Sequence, residues 1–174
     1  DAKMKISPDK AYVLGLFVGG GEISSSGFQI VLPFDKWGEN PRRMGVIARD
    51  ILKKMGDRFL RGYGLRINFE IGNKRWLIVP LDDGDFSAIA DDLGRLGLPR
   101  TGVILQKADL KKAKKRLKGL AAENFLSGIF DARASIAKSH RRFTKDAPIV
   151  SIEIPGSTKN FEFVVQLCSW LTSL

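Results

Sequence analysis

The sequence holds one cysteine, Cys168, and one histidine, His140, in 174 residues. A single thiol cannot form a disulfide framework within the chain, and a zinc knuckle has no ligand set. Cys168 sits in an apolar helical pattern and is expected as a buried thiol rather than a nucleophile. His140 lies in a basic, polar segment and is expected as a solvated loop side chain. No apolar run approaches the roughly 20 residues of a membrane span, and the start carries no signal-peptide pattern. The expectation is therefore an intracellular protein, cytoplasmic or nucleoid, with no membrane partner. A phosphate loop is excluded as well. The run Gly19, Gly20, Gly21 follows a helical stretch instead of preceding one, and no lysine followed by serine or threonine accompanies it. Neither a cofactor nor a bound metal is expected.

Acidic residues are also in short supply. Twenty-nine Lys and Arg stand against nineteen Asp and Glu, giving a net charge of +10 and a pI near 9.9. That balance favours a polyanionic partner, nucleic acid first. With 44% apolar and 28% charged residues, the chain is long enough for one sizeable domain or two small related ones.

What is present is a repeat. Residues 11–23, AYVLGLFVGGGEI, return in altered form at residues 124–136, NFLSGIFDARASI. Both read as helices with small residues four apart, Gly15 and Gly19 in the first, Gly128 and Ala132 in the second. On a helix such pairs share one face and let two backbones approach closely. A helix pair at a pseudo-twofold axis is expected, with these four residues at its interface.

Ser7 and Pro8 supply an N-cap and a first-turn proline for the first of these helices. Residues 23–34 read as a β-hairpin turning at 24–27, with Phe28, Ile30 and Leu32 alternating on one face and Pro33 ending the strand. Asn40-Pro41 opens a helix to about Met55, with Met44, Ile47, Ile51 and Leu52 as its apolar stripe. Residues 65–71 alternate, Leu65, Ile67, Phe69 and Ile71 inward, Arg66, Asn68 and Glu70 outward. A turn at Gly72-Asn73 leads to a strand over 75–81, and a helix over 86–96 ends at Gly97 and Pro99.

The two repeated segments resemble the signature helices of the LAGLIDADG homing endonuclease family, and the element order helix, two strands, helix, two strands, helix is similar to that of its half-domain. The resemblance implies an α+β fold of two pseudo-symmetric αββαββα repeats with antiparallel saddle sheets. It also implies that an acid near the end of each motif helix binds the metal that activates water for phosphodiester cleavage. Here Gly20 and Arg133 occupy those two positions. Glu22 and Asp131 each lie two residues away, about 200° around a helix, so neither points where the acid would. The expectation is a nuclease scaffold without catalytic residues, not an enzyme.

Residues 1–99 form the first repeat in this reading, 100–119 a basic linker helix, and 120–174 a partial second repeat. The linker carries Lys111, Lys112, Lys114, Lys115, Arg116 and Lys118, with Leu110, Ala113 and Leu117 as an apolar stripe and Gly119 as C-terminal cap. It reads either as a packed connector with solvated lysines or as a helix laid beside a phosphate backbone. The second hairpin is nine residues longer than the first, since Gly128 to Pro155 spans 27 positions and Gly15 to Pro33 spans 18. Its tip carries Lys138, His140, Arg141, Arg142, Phe143 and Lys145, suited to phosphate contact with one aromatic for stacking. The last helix, from about Thr158, has Phe161, Val164, Val165, Leu167, Cys168 and Leu171 as its apolar set. After Pro155 the second repeat has 19 residues where the first has 64 after Pro33, roughly 45 fewer. A dimer partner, a second polypeptide or a missing C-terminal segment is expected to complete it.

The nucleic-acid-binding residues expected are Arg66, Lys74, Arg75, Lys111, Lys114, Lys115, Lys138, His140, Arg141, Arg142 and Lys145. Glu70 and Glu153, on outward strand positions, oppose phosphate but can accept from cytosine N4. The function expected is nucleic-acid binding, DNA before RNA, in a regulatory or structural role. A protein-interaction or assembly module and an RNA-binding, maturase-like splicing factor are the alternatives, and an enzyme drawing its acids from elsewhere is a third.

Overall fold

The computed structural model describes residues 5–32, 41–71, 75–83, 85–137, 149–152 and 160–174. The expected sites Lys74, Lys138, His140, Arg141, Arg142 and Lys145, with Phe143, Glu153 and the turn at Gly72-Asn73, lie outside these residues.

Helix α1 (Pro8–Gly20) starts where the sequence says it should, with the Ser7 side chain accepting from the Lys10 amide and Pro8 in the first turn. Residues 11–19 are all buried. A helix apolar on every side has no solvent face, so α1 is the axis of the core. At Gly21 the chain turns into strand β1 (Gly21–Ser24), which pairs antiparallel with β2 (Gly27–Leu32) through Glu22 opposite Gln29 and Ile23 opposite Phe28.

Helix α2 (Pro41–Tyr63) runs eight residues beyond the expected end at Met55. Gly56 costs about 1 kcal/mol relative to alanine inside a helix, but burying Met55 and Phe59 on the next turn outweighs it. The helix stops at Gly64, whose φ of +63° suits glycine. Asp9 accepts from Arg58 at 3.0 Å and from Arg61 at 3.1 Å, tying the start of α1 to α2 and holding the Asp9 carboxyl below its ordinary range.

Strands β3 (Ile67–Ile71) and β4 (Trp76–Pro80) pair with each other, β4 pairs with β2, and α3 (Ser87–Arg95) follows. One strand was not expected. Gly102 and Val103, inside the supposed linker, form β5 on the free side of β1, completing a five-stranded antiparallel sheet ordered β3-β4-β2-β1-β5. Two residues in a polar context carry no alternation from which a strand could be read. Ile23, Phe28, Ile30, Leu32, Trp76 and Ile78 are buried on the sheet's inner face. Phe28 stacks on Phe59 at 6.1 Å and meets Phe17 edge-on at 5.0 Å, joining sheet, α1 and α2.

After a 3-10 turn (Ile104–Lys107), α4 (Lys111–Arg116) and α5 (Leu120–Arg133) lead to a two-stranded sheet, β6 (Ala134–Ala137) with β7 (Ile149–Ile152), and then to α6 (Phe161–Leu171). The order α1, β1, β2, α2 thus recurs as α5, β6, β7, α6 in a mixed helix and antiparallel-sheet fold.

Two expectations fail in α6. Its buried residues are Phe163, Leu167 and Trp170, while Phe161 and Val165 are exposed and so is Cys168. The stripe at i, i+4, i+7 begins two residues later than expected, which places Cys168 about 100° from Leu167, on the outer side. The connector is packed through Leu110, Ala113 and Leu117 and tied to α6. Asn160 caps α6 through the Phe163 amide and donates to the carbonyls of Leu105 and Ala108 at 2.8 and 3.1 Å, while Gln166 accepts from the Leu110 amide at 2.7 Å.

Two tyrosines, Tyr12 buried and Tyr63 half-buried, have carboxylate acceptors. The Tyr12 hydroxyl donates to Asp131 at 2.5 Å and that of Tyr63 to Asp92 at 2.9 Å, Asp92 being only 5% exposed and also bonded to Arg95. Desolvation, then the adjacent carboxylates, raise both tyrosine pKa values far above 10. Their contribution to stability is complete below the ordinary tyrosine value near 10 and is lost above it, because only the unfolded chain then ionises. Unfolding free energy is expected to fall by up to about 1.4 kcal/mol per tyrosine for each further pH unit, and Y12F/Y63F to flatten that limb in denaturant titrations.

Candidate nucleic-acid interface

The centre of the molecule is the crossing of α1 and α5. A Cβ on Gly15 would run into the Phe125 carbonyl oxygen, and one on Gly128 into that of Tyr12. Gly19 meets Ala132 one turn on, where a Cβ would stand 2.7 Å from the alanine methyl. The four small residues of the repeat therefore lie at one contact, where backbone meets backbone.

At the end of that crossing lie the two positions where the family resemblance places acids. Gly20 closes α1 against β2, and a Cβ there would stand 2.5 Å from the Val31 carbonyl oxygen. Arg133 closes α5, and its Nε donates to the Gly19 carbonyl. A guanidinium at the C-terminal end of α1 satisfies a carbonyl with no partner inside the helix and faces the negative end of its dipole. Partial burial lowers the Arg133 pKa, yet an arginine remains charged.

The nearby carboxylates are engaged elsewhere. Glu22 sits on β1 and accepts from Gln29 at 3.1 Å. Asp131 holds the Tyr12 hydroxyl, and desolvation raises its pKa although the residue reaches solvent. Among the described residues, no three His, Cys, Asp or Glu side chains converge as a metal site.

Two surfaces could meet a polyanion. The first is the open face of the five-stranded sheet. The strand registers line up Val103, Glu22, Gln29, Val79 and Asn68 across it, with Val31, Leu77 and Glu70 in the next row. A depression of about 460 Å³ lies among Glu22, Ser24, Gln29, Glu70 and Val79. Arg66, expected to contact nucleic acid, pairs with Asp82 at 2.7 Å, and Arg75 is exposed beside β4. Among the described residues this face is mixed in polarity and lacks a basic centre.

The second surface is concentrated. Lys111, Lys114 and Lys115, three of the expected contacts, line a groove of about 500 Å³ between α4 and α6, together with Lys118, Leu110, Val165, Gln166 and Ser169. At about 100° per residue, Lys111, Lys114 and Lys115 fall in one arc of α4 with Lys112 and Arg116 on its flank and the buried Ala113 opposite, while Lys118 follows the extended, buried Leu117 past the helix end. Lys114 donates to the Ser169 carbonyl at 3.2 Å and Lys118 to the Lys114 carbonyl at 3.1 Å. Lys111 makes the one ion pair of α4 among the described residues, at 3.9 Å with Glu162. Lys118, Gln166 and Ser169 were not among the expected contacts; the position of Lys118, seven after Lys111, was the available signal, whereas nothing local marks the two residues of α6.

No family model matches the chain, and no curated protein does either. Among solved structures, I-DmoI in complex with its target DNA, nicked in the coding strand and in the presence of manganese, aligns over 92% of this chain and 97% of its own. The TM-score is 0.39 and the identity 13%. A likeness that distant supports no conclusion about this chain. No helix among the described residues is long and apolar enough to cross a membrane.

Proposed function

We propose that this chain binds nucleic acid, duplex DNA in the first place, without cleaving it, in a regulatory or structural role. The observation that carries the binding is the run of cations on α4 and just past its end. Ion pairs elsewhere tie Asp9, Asp50, Asp82, Asp91 and Asp92 to nearby bases, whereas Lys112, Lys114, Lys115, Arg116 and Lys118 pair with no carboxylate among the described residues. With a net charge of +10, that unneutralised run is where a polyanion gains most. The absence of cleavage rests on Gly20 and Arg133, which supply no oxygen ligand to a hydrolytic metal.

The test is retention of a randomised pool of duplex DNA and structured RNA at two salt concentrations with magnesium present. Intact duplex is expected to be retained, with affinity falling by about 0.9 logarithmic units per contacted phosphate for each tenfold rise in salt. A flat salt response contradicts the electrostatic basis, and cleavage products contradict the reading of Gly20 and Arg133. Retention of nothing at either salt shifts the function to a protein partner, for which the open sheet face with Glu22 and Glu70 is the available surface.

A further inference from the structure

Resting on the nucleic-acid reading above, we infer that the α4–α6 groove holds the phosphodiester backbone of duplex DNA as a positioning site that is indifferent to base sequence. The groove is built for that chemistry. Lys111, Lys114 and Lys115 share one side of α4 over about 6 Å of axis at about 1.5 Å rise, and Lys118, two residues past the helix end, reaches back to the Lys114 carbonyl, so the four cations match about two phosphates at about 3.4 Å of axis per strand. Its remaining lining is two aliphatic side chains, Leu110 and Val165, with Gln166 and Ser169. Among the described residues no aromatic lines it, so these offer splayed bases no stacking platform, and their one amide, Gln166, accepts from the Leu110 amide and donates to Glu162. Cations that recognise phosphate dominate the lining, and its one amide is already engaged by protein partners.

The comb is also held in shape before any ligand arrives. Asn160 and Gln166 pin the backbone on either side of Asp109 to α6, and Lys114 is braced on Ser169. Lysines on a frayed helix would lose side-chain and backbone freedom on binding; here much of the backbone ordering is complete. The acidic neighbours are Glu162, against Lys111, and Asp109, whose side chain accepts from the Lys111 amide. Both stand at the Lys111 end, leaving Lys115 and Lys118 as the strongest part of the field.

Two doubly substituted full-length chains with the same loss of charge test this, K115Q/K118Q in the groove and K112Q/R116Q on its flank. All four side chains are exposed and glutamine keeps helix propensity near that of lysine, so both variants are expected to melt with the parent. Binding is followed across salt with two short duplexes of unrelated sequence, with one of their strands alone, and with phosphatidylserine vesicles. The groove variant is expected to lower the salt slope by about 2 and the affinity at least about tenfold, equally on both duplexes, while the flank variant stays within about threefold of the parent. Equal losses in the two variants overturn the groove while leaving nucleic-acid binding in place. Loss on one duplex only, or preference for the single strand or the vesicles, overturns a backbone site for duplex DNA. Failure of the parent chain to retain any nucleic acid removes the underlying reading itself.

Discussion

Gly15→Ala is expected to destabilise the protein by about 3 kcal/mol, and Gly128→Ala by as much, although each adds a single methyl group. The atoms in the way are the Phe125 and Tyr12 carbonyl oxygens, part of the facing helix's own backbone. A flexible side chain could rotate aside, but a helical carbonyl moves only if the two helices part. Parting α1 from α5 would loosen the contacts of Leu14, Leu16, Phe125 and Ile129, all fully or nearly fully buried. For a chain of this length the melting temperature should fall by roughly 10 °C. Gly56→Ala is the matched control. Its Cβ meets nothing within 4 Å, and alanine is preferred inside α2, so a gain of about 0.5–1 kcal/mol is expected. If Gly15→Ala melted with the parent, the close crossing would be wrong.

Restoring acids at the two positions of the family motif is expected to fail as well, for a structural reason. Gly20→Asp drives a Cβ against the Val31 carbonyl in β2, and Arg133→Asp removes the donor to Gly19 while setting a negative charge at the negative end of α1. The lost charge-assisted bond is worth about 1.5–3 kcal/mol and the unfavourable charge up to about 1 more. The double variant should unfold about 2.5–7 kcal/mol more easily, and a supercoiled plasmid incubated with it and magnesium or manganese should stay closed. Nicking by a variant that melts like the parent would show that the surroundings still support phosphodiester hydrolysis.

Residues read locally from the sequence fell into place where the local signal had no rival. Ser7-Pro8, the hairpin turn at 24–27, the alternation through Arg66, Asn68 and Glu70 and the stop at Gly97 each depend on neighbours in sequence, and each stands in the structure. The helix end at Met55 and the buried thiol at Cys168 were misread because tertiary burial decides there. Phe59 carries α2 past a glycine, and Trp170 rather than Cys168 turns inward to stack on Phe125 at 5.5 Å. Neither β5 nor the role of α6 was legible, since Gly102 and Val103 carry no period of their own and Asn160 acts on residues more than fifty positions away. At the candidate site, Lys111, Lys114 and Lys115 were visible as a charged helical face. That Gln166 and Ser169 form the opposite wall is a fact of packing.

The bonds from Asn160 and Gln166 to residues 105, 108 and 110 also set an order of events during synthesis. Contacts that join positions 52 to 56 residues apart cannot form until the later partner has left the ribosome. The five-stranded sheet, whose last strand ends at Val103, can be complete well before then. The lysine comb cannot, because its frame arrives with α6. A nascent chain therefore carries the charge of residues 111–118 without the scaffold that arrays it until residues 160 and 166 have emerged.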